Sequence, residues 1–282
     1  MFAKLRGRSN ESQRQSGDDE SGSDASILEQ YVSGSPTAQN AVDVFAGEWS
    51  SRFPDSVGVS AGEAQLFEDP WMKWAIEQAG PLDGRRVLEL GPLEGAHSSM
   101  LDAAGAEVFA IEANTHAYLK CLITKELMGL SRCRFQLGDF VPFMQETDER
   151  FDFVVSSGVL YHQTDPLGFL EAVARVGRRV AIWTHYFDPS IVAADPAQAR
   201  FFLPEPEIVE WSELQISLHR RNYLESLGWG GFCGGPATSV LWMERDDLFA
   251  VLHRLGYDRI EVMHDDRTHP FGARIMLFAE QT

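Results

Sequence analysis

The stretch RRVLELGPLEG, residues 85–95, decides the reading of this chain. Its first half, RRVLEL, has the aliphatic and β-branched content of a strand. Its second half sets Gly91 and Gly95 on either side of Pro92 and Leu93. Glycines in such a loop permit positive φ and let the backbone approach a ligand closely. HSSMLDAAG, which follows, reads as a helix whose free N–H groups face the loop. Strand, glycine loop and helix together form the opening unit of an open α/β sheet with a ligand at its carboxyl edge.

Downstream of this unit, short β-rich runs alternate with helical segments, which predicts an α/β fold with a largely parallel sheet. EVFAIEA, RCRFQLGD, FDFVVSSG and RRVAIWTH read as the second to fifth strands. HAYLKCLITKELMG and DPLGFLEAVARVG are helices between them. ERDDLFAVLHRLG reads as an amphipathic helix, and RIEVMH and ARIMLFAE flank a DDRTHPFG turn as a terminal antiparallel hairpin. Residues 186–240, after the fifth strand, are rich in aromatics and glycine without a simple period. They are expected to be an insertion at the acceptor site, as a lidded pocket or as core aromatics of a helical insertion.

Upstream, residues 1–38 are polar and acidic with few apolar anchors, the composition of a disordered tail. Residues 39–80 bring Phe45, Trp49, Phe53, Phe67, Trp71 and Trp74, and EDPWMKWAIEQAG carries a helix-start signal, so a helical cap is expected there. Residues 81–282 then form the main domain. No apolar run approaches the roughly 20 residues of a membrane span, and the N-terminus lacks the pattern of a signal peptide, so the expected location is cytoplasmic. The three cysteines fit neither a zinc site nor a disulfide framework. His264, Asp265, Asp266 and His269 read as exposed turn residues, and no metal is expected. The net charge of −18 disfavours nucleic acid as a partner, despite a local basic pair at Arg220 and Arg221.

Carboxylates mark the ends of the first three strands. Glu89 lies two residues before Gly91, where a negative charge suits a cationic ligand better than a pyrophosphate. Glu112 ends the second strand, where a carboxylate can accept from both hydroxyls of a ribose. Asp139 ends the third, able to accept from an exocyclic amine, with Phe140 beside it to stack on a base.

ELGPLEG, IEAN, GDF and FDFVVSSGVLYHQTDPL together resemble the class I S-adenosylmethionine-dependent methyltransferases. GVLYHQTDPLGFL is more particularly similar to the tRNA wobble-uridine carboxymethyltransferases and their relatives. The resemblance covers residues 82–185 well. It implies a Rossmann-like, seven-stranded, mainly parallel sheet with the last strand antiparallel, in keeping with the hairpin. It also implies S-adenosylmethionine as cofactor, with Gly91, Pro92 and Gly95 at its methionine part. Glu112 would hold the ribose, Asp139 and Phe140 the adenine, and Ser157 and Gly158 would lie near the sulfonium. Leu93 stands where the usual middle glycine is expected.

Methyl transfer needs alignment, exclusion of water and, for some acceptors, a base. Tyr161 and His162 after the fourth strand and His185 after the fifth are the candidates, each with a packing role as the competing explanation. The expected function is methylation of a small molecule, natural product or glycan, at a hydroxyl group before a nitrogen. The alternatives are a tRNA wobble-uridine carboxymethyltransferase-like enzyme and a non-catalytic cofactor-binding protein. A nicotinamide-dependent dehydrogenase stands further off. Oligomeric state is open.

Overall fold

The computed structural model describes residues 31–228 and 232–282. Most of the expected tail, and Trp229, Gly230 and Gly231 of the glycine-rich run, lie outside the described residues. Strand β1 (Arg86–Leu90) pairs in parallel with β2 (Glu107–Glu112), and β2 with β3 (Cys133–Leu137). On its other side β1 pairs in parallel with β4 (Phe153–Ser157), and β4 with β5 (Arg179–His185). The hairpin β9 (Tyr257–Asp266) and β10 (Arg274–Gln281) completes the sheet, with β10 antiparallel to β5. The order is β3-β2-β1-β4-β5-β10-β9, so the order in which strands are added reverses between β1 and β4. Ligands bind at the carboxyl ends of the strands at such a reversal.

The side-chain period of two assigns the strands to two cores. Val87, Val108, Phe153, Val155 and Phe278 pack with Trp71 and Met72 of helix α2 (Pro70–Ala79), Leu101 of α3 (Ala96–Ala103) and Cys121 of α4 (Thr115–Met128). Leu88, Leu90, Val154, Ile182 and Leu277 pack on the opposite face. There they meet Met144 of α5 (Phe140–Glu146), Phe169 and Leu170 of α6 (Pro166–Val176), and Leu248 of α9 (Arg245–Arg254). Both faces of β1, β4 and β5 are thus covered, which explains their near-continuous apolar runs, whereas the edge strand β3 alternates buried and exposed residues.

The cap is only partly helical. Residues 38–68 hold the five-residue helix α1 (Ala38–Val42) and three short 3₁₀ turns, and the ten-residue α2 follows them. Val42, Phe45, Trp49, Phe53 and Phe67 make a small core of their own. The insertion after β5 departs from a helical reading. After α7 (Pro189–Ala194) and α8 (Pro196–Ala199), it forms a separate antiparallel sheet of β6 (Glu207–Trp211), β7 (Leu214–Asn222) and β8 (Ser239–Met243). Phe187, Phe202, Tyr223, Val240 and Trp242 fill its inner side. The main-chain N–H of Leu241 donates to the carbonyl of Gln163 at 3.0 Å, fixing β8 against the turn after β4. No helix among the described residues is long and apolar enough to cross a membrane.

Candidate functional site

In the glycine loop Gly91, Leu93 and Gly95 all have positive φ, at 62°, 57° and 79°. A Cβ on Gly91 would also come within 3.3 Å of Val159 Cγ2, so both space and conformation require glycine there. Leu93 keeps the left-handed turn of the expected glycine despite a steric cost of about 1–2 kcal/mol. Its N–H donates to Glu112 Oε2 at 3.1 Å, a charge-assisted bond that offsets the cost. The other oxygen of Glu112 accepts from the Asn114 N–H at 2.8 Å. Burial raises the Glu112 carboxyl pKa, against the pull of these N–H groups. Glu112 therefore shapes the loop, and each oxygen retains a lone pair for a hydroxyl.

Glu89 sits behind the loop. It is fully buried, accepts from Ser98 Oγ, and its pKa is raised by that burial. Asp139 is exposed and caps α5 by accepting from the Val141 N–H at 2.8 Å. Phe140 opens the same helix, with its ring 6.0 Å from Phe169 in an edge-on contact.

Gly91, Pro92, Ser157 and Gly158 come together on the wall of an open cavity of about 410 Å³. The wall also holds residues that the sequence does not mark, and four of them bear on how the cap joins the sheet, three from the cap itself. Ser51 and Trp71 line it, and Trp71 Nε1 donates to Ser157 Oγ at 3.3 Å. Asp69 lies 3.0 Å from His97 Nε2, across the cavity's rim. Burial pushes the Asp69 carboxyl up, but His97 and the Trp71 N–H outweigh it and hold it below its ordinary value. The fourth, Glu94, accepts from the main-chain N–H groups of Ser50 and Ser51 at 2.9 and 2.8 Å, and from Lys120 Nζ at 3.3 Å. That buried carboxylate ties the cap to the glycine loop. The DP dipeptide at residues 69–70 was visible as a helix start, but nothing local marked it as part of a site.

Tyr161 stands beside this cavity, its hydroxyl 3.8 Å from where a Gly158 Cβ would lie. Its ring centroid is 4.1 Å from that of His162 and 4.8 Å from that of His185. The structure thus brings all three candidates for acceptor chemistry together. Burial lowers the pKa of His162 to about 3 and that of His185 to about 4, so both imidazoles are neutral at physiological pH. Their hydrogen bonds differ. His162 Nδ1 is 2.5 Å from Tyr223 Oη, an attachment to the insertion. His185 Nδ1 is 3.1 and 3.2 Å from the carbonyl oxygens of Gly272 and Ala273. A carbonyl only accepts, so the proton is on Nδ1 and Nε2 carries a lone pair.

The family model of a methyltransferase domain matches residues 82–220, from the start of β1 through most of β7. Residues 82–220 are an S-adenosylmethionine-dependent methyltransferase domain. Among solved structures, the chain is similar to the N-terminal domain of EvdMO1 crystallised in the presence of S-adenosylhomocysteine and D-fucose. The TM-score is 0.63 at 22% identity, over 87% of this chain and 94% of that one. It is also similar to the whole of EvdMO1, with a TM-score of 0.51 at 25% identity over 76% of this chain, which spans 41% of that protein. No curated protein sequence matches significantly.

The cavity is lined by residues with unsatisfied polar atoms whose chemistry suits an amino-acid group. Ser51 Oγ and Arg274 Nε are buried without a hydrogen-bond partner, and both residues line the cavity. A hydroxyl can accept from an ammonium and a guanidinium can donate to a carboxylate. If Glu112 also holds the ribose, Glu112→Ala should weaken S-adenosylhomocysteine binding by about 1.5–3 kcal/mol. Calorimetric titration of the folded variant reads this directly, and unchanged affinity would remove Glu112 from the ribose site.

Proposed function

We propose that the enzyme transfers a methyl group from S-adenosylmethionine to a hydroxyl group of a small molecule, natural product or glycan. The observation that carries this reading is the His185 imidazole, neutral and with its Nε2 lone pair unclaimed by the Nδ1 bonds, packed against Tyr161 and Trp183, the two side chains that approach Gly158. Bound in the cavity, S-adenosylmethionine supplies an activated methyl group. Gly91, Pro92, Ser157 and Gly158 are placed to hold it, and Glu112, Asp139 and Phe140 are assigned to its nucleoside end.

The protein's own part is to place a hydroxyl, exclude water, and accept one proton. Tyr161, Trp183 and Trp242 provide an apolar wall suited to a ring-shaped acceptor. His185 Nε2 accepts the hydroxyl proton as the new bond makes that proton acidic. D-fucose, present with the EvdMO1 domain, is a hydroxyl-bearing sugar and supports this acceptor class. An RNA acceptor is less well supported. Arg220 is engaged by Glu207 and Arg221 points to the opposite side of β7, so the two do not build one basic surface. The test is an acceptor screen that reports S-adenosylhomocysteine. Turnover with hydroxylated sugars or phenols is expected, and turnover confined to amines or to tRNA would overturn the proposal.

A further inference from the structure

The inner side of the insertion holds a cation without a counter-ion among the described residues. Successive residues of β7 point to opposite faces, and Arg220 turns outward to Glu207 and Ser239. Arg221 turns inward. Its guanidinium carbon lies 4.8 Å from the Phe201 ring centroid, 5.1 Å from Trp242 and 5.9 Å from Tyr223. Its Nε is buried with no hydrogen-bond partner, and among the described residues no carboxylate forms an ion pair with it. The chain has 42 acidic residues against 24 basic ones, so a lone inward arginine is not the result of scarce carboxylates. The titratable groups around it, Tyr161, His162, His185 and Tyr223, are all neutral at physiological pH. Stacking on aromatic faces compensates a desolvated guanidinium only in part, and its planar donors are left for an oxyanion.

The position relates this cation to methyl transfer. Trp242, on which Arg221 packs, is parallel to the His185 ring at 5.2 Å and donates from Nε1 to the Tyr161 carbonyl at 3.0 Å. Tyr161 in turn stands beside Gly158 at the cofactor cavity. Arg221 and His185 thus pack on the same aromatic ring, that of Trp242, which joins the cation to the base.

We propose that Arg221 binds an oxyanion, a carboxylate or a phosphate, carried by the methyl acceptor, so that the substrate is an anionic small molecule. This rests on the methyltransferase reading given above, and it adds a specificity that neither fold nor cofactor implies. The acceptor's anion docks on the insertion, and its hydroxyl is then presented to His185.

The test uses the full chain saturated with S-adenosylhomocysteine, so that the cofactor cavity and Arg274 are already occupied. Inorganic phosphate and, separately, acetate are titrated at constant ionic strength against chloride, with tryptophan fluorescence as the readout. Saturable binding of phosphate or acetate is expected, and Arg221→Met should weaken it by about tenfold or more while Arg221→Lys retains part of it. A preference for phosphate would point to a phosphorylated acceptor, and one for acetate to a carboxylic acid. S-adenosylhomocysteine affinity should be unchanged in Arg221→Met, which shows that the variant is folded. No saturable anion response in the wild type, or an equal response in Arg221→Met, would overturn the proposal. Failure of S-adenosylhomocysteine to bind the wild type would instead strike at the methyltransferase reading itself.

Discussion

Replacing His185 with Gln should lower the rate of methyl transfer by about 10²–10⁴-fold while leaving S-adenosylhomocysteine binding intact. The two carbonyls at Nδ1 fix the ring and its tautomer, so the wild-type Nε2 is a preset acceptor. Glutamine preserves much of the volume but has no basic nitrogen. Because burial lowers the His185 pKa to about 4, the proton-accepting form is present throughout the neutral range. The kcat/KM profile on the acid side should therefore stay flat down to about pH 5, then fall as the imidazole protonates near pH 4. A base this weak suffices because the hydroxyl becomes strongly acidic as it gains the methyl group. His162→Gln should change the rate far less, since His162 is engaged with Tyr223 rather than aimed at the reaction. A His185→Gln enzyme that binds S-adenosylhomocysteine and turns over at the wild-type rate would remove His185 from the chemistry.

The parts of this molecule that were legible in the sequence are those set by local pattern. Of the five parallel strands, β1, β2, β4 and β5 are legible because burial on both faces leaves them mostly apolar, whereas β3 at the sheet edge alternates buried and exposed residues. Gly91 and Gly95 marked the loop because no other residue type takes positive φ without cost. Leu93 shows the limit of that signal, for it adopts the same turn through a bond to Glu112 that lies 19 residues away in sequence. The cap's share of the cavity was hidden for the same reason. Ser51, Asp69 and Trp71 reach the wall only because Glu94 and His97 draw the cap onto the loop and helix after β1. The insertion's sheet is not legible in the sequence because β6 is largely exposed, with only Val209 and Trp211 packed partly against the core. Aromatics of that segment were noticed as a group, but which of them share a face with Arg221 is fixed by the β7–β8 register.

The same buried histidines make the fold sensitive to acid. Each has an ordinary pKa of 6.5 and a value of about 3 (His162) or about 4 (His185) in the folded protein. Between those limits the unfolded chain binds more protons than the folded one, so stability must fall as pH drops. The contribution is fully present above pH 6.5 and declines as pH falls toward the folded values. From pH 7 to pH 4.5 the loss should be about 2.5 kcal/mol for each histidine, a large share of an ordinary domain's stability. Glu89 and Glu112 act in the opposite sense, because burial raises their pKa and the folded state then takes up protons more readily. Urea unfolding at the two pH values separates these contributions. His162→Asn should be less stable at pH 7, through loss of its Tyr223 bond, yet lose about 2.5 kcal/mol less than the wild type on going to pH 4.5. An undiminished pH dependence in that variant would mean that His162 is as readily protonated in the folded enzyme as in the unfolded chain. The neutral state of His162 would then have to be abandoned, while His185, held by the carbonyls of Gly272 and Ala273, would keep its assignment as the base.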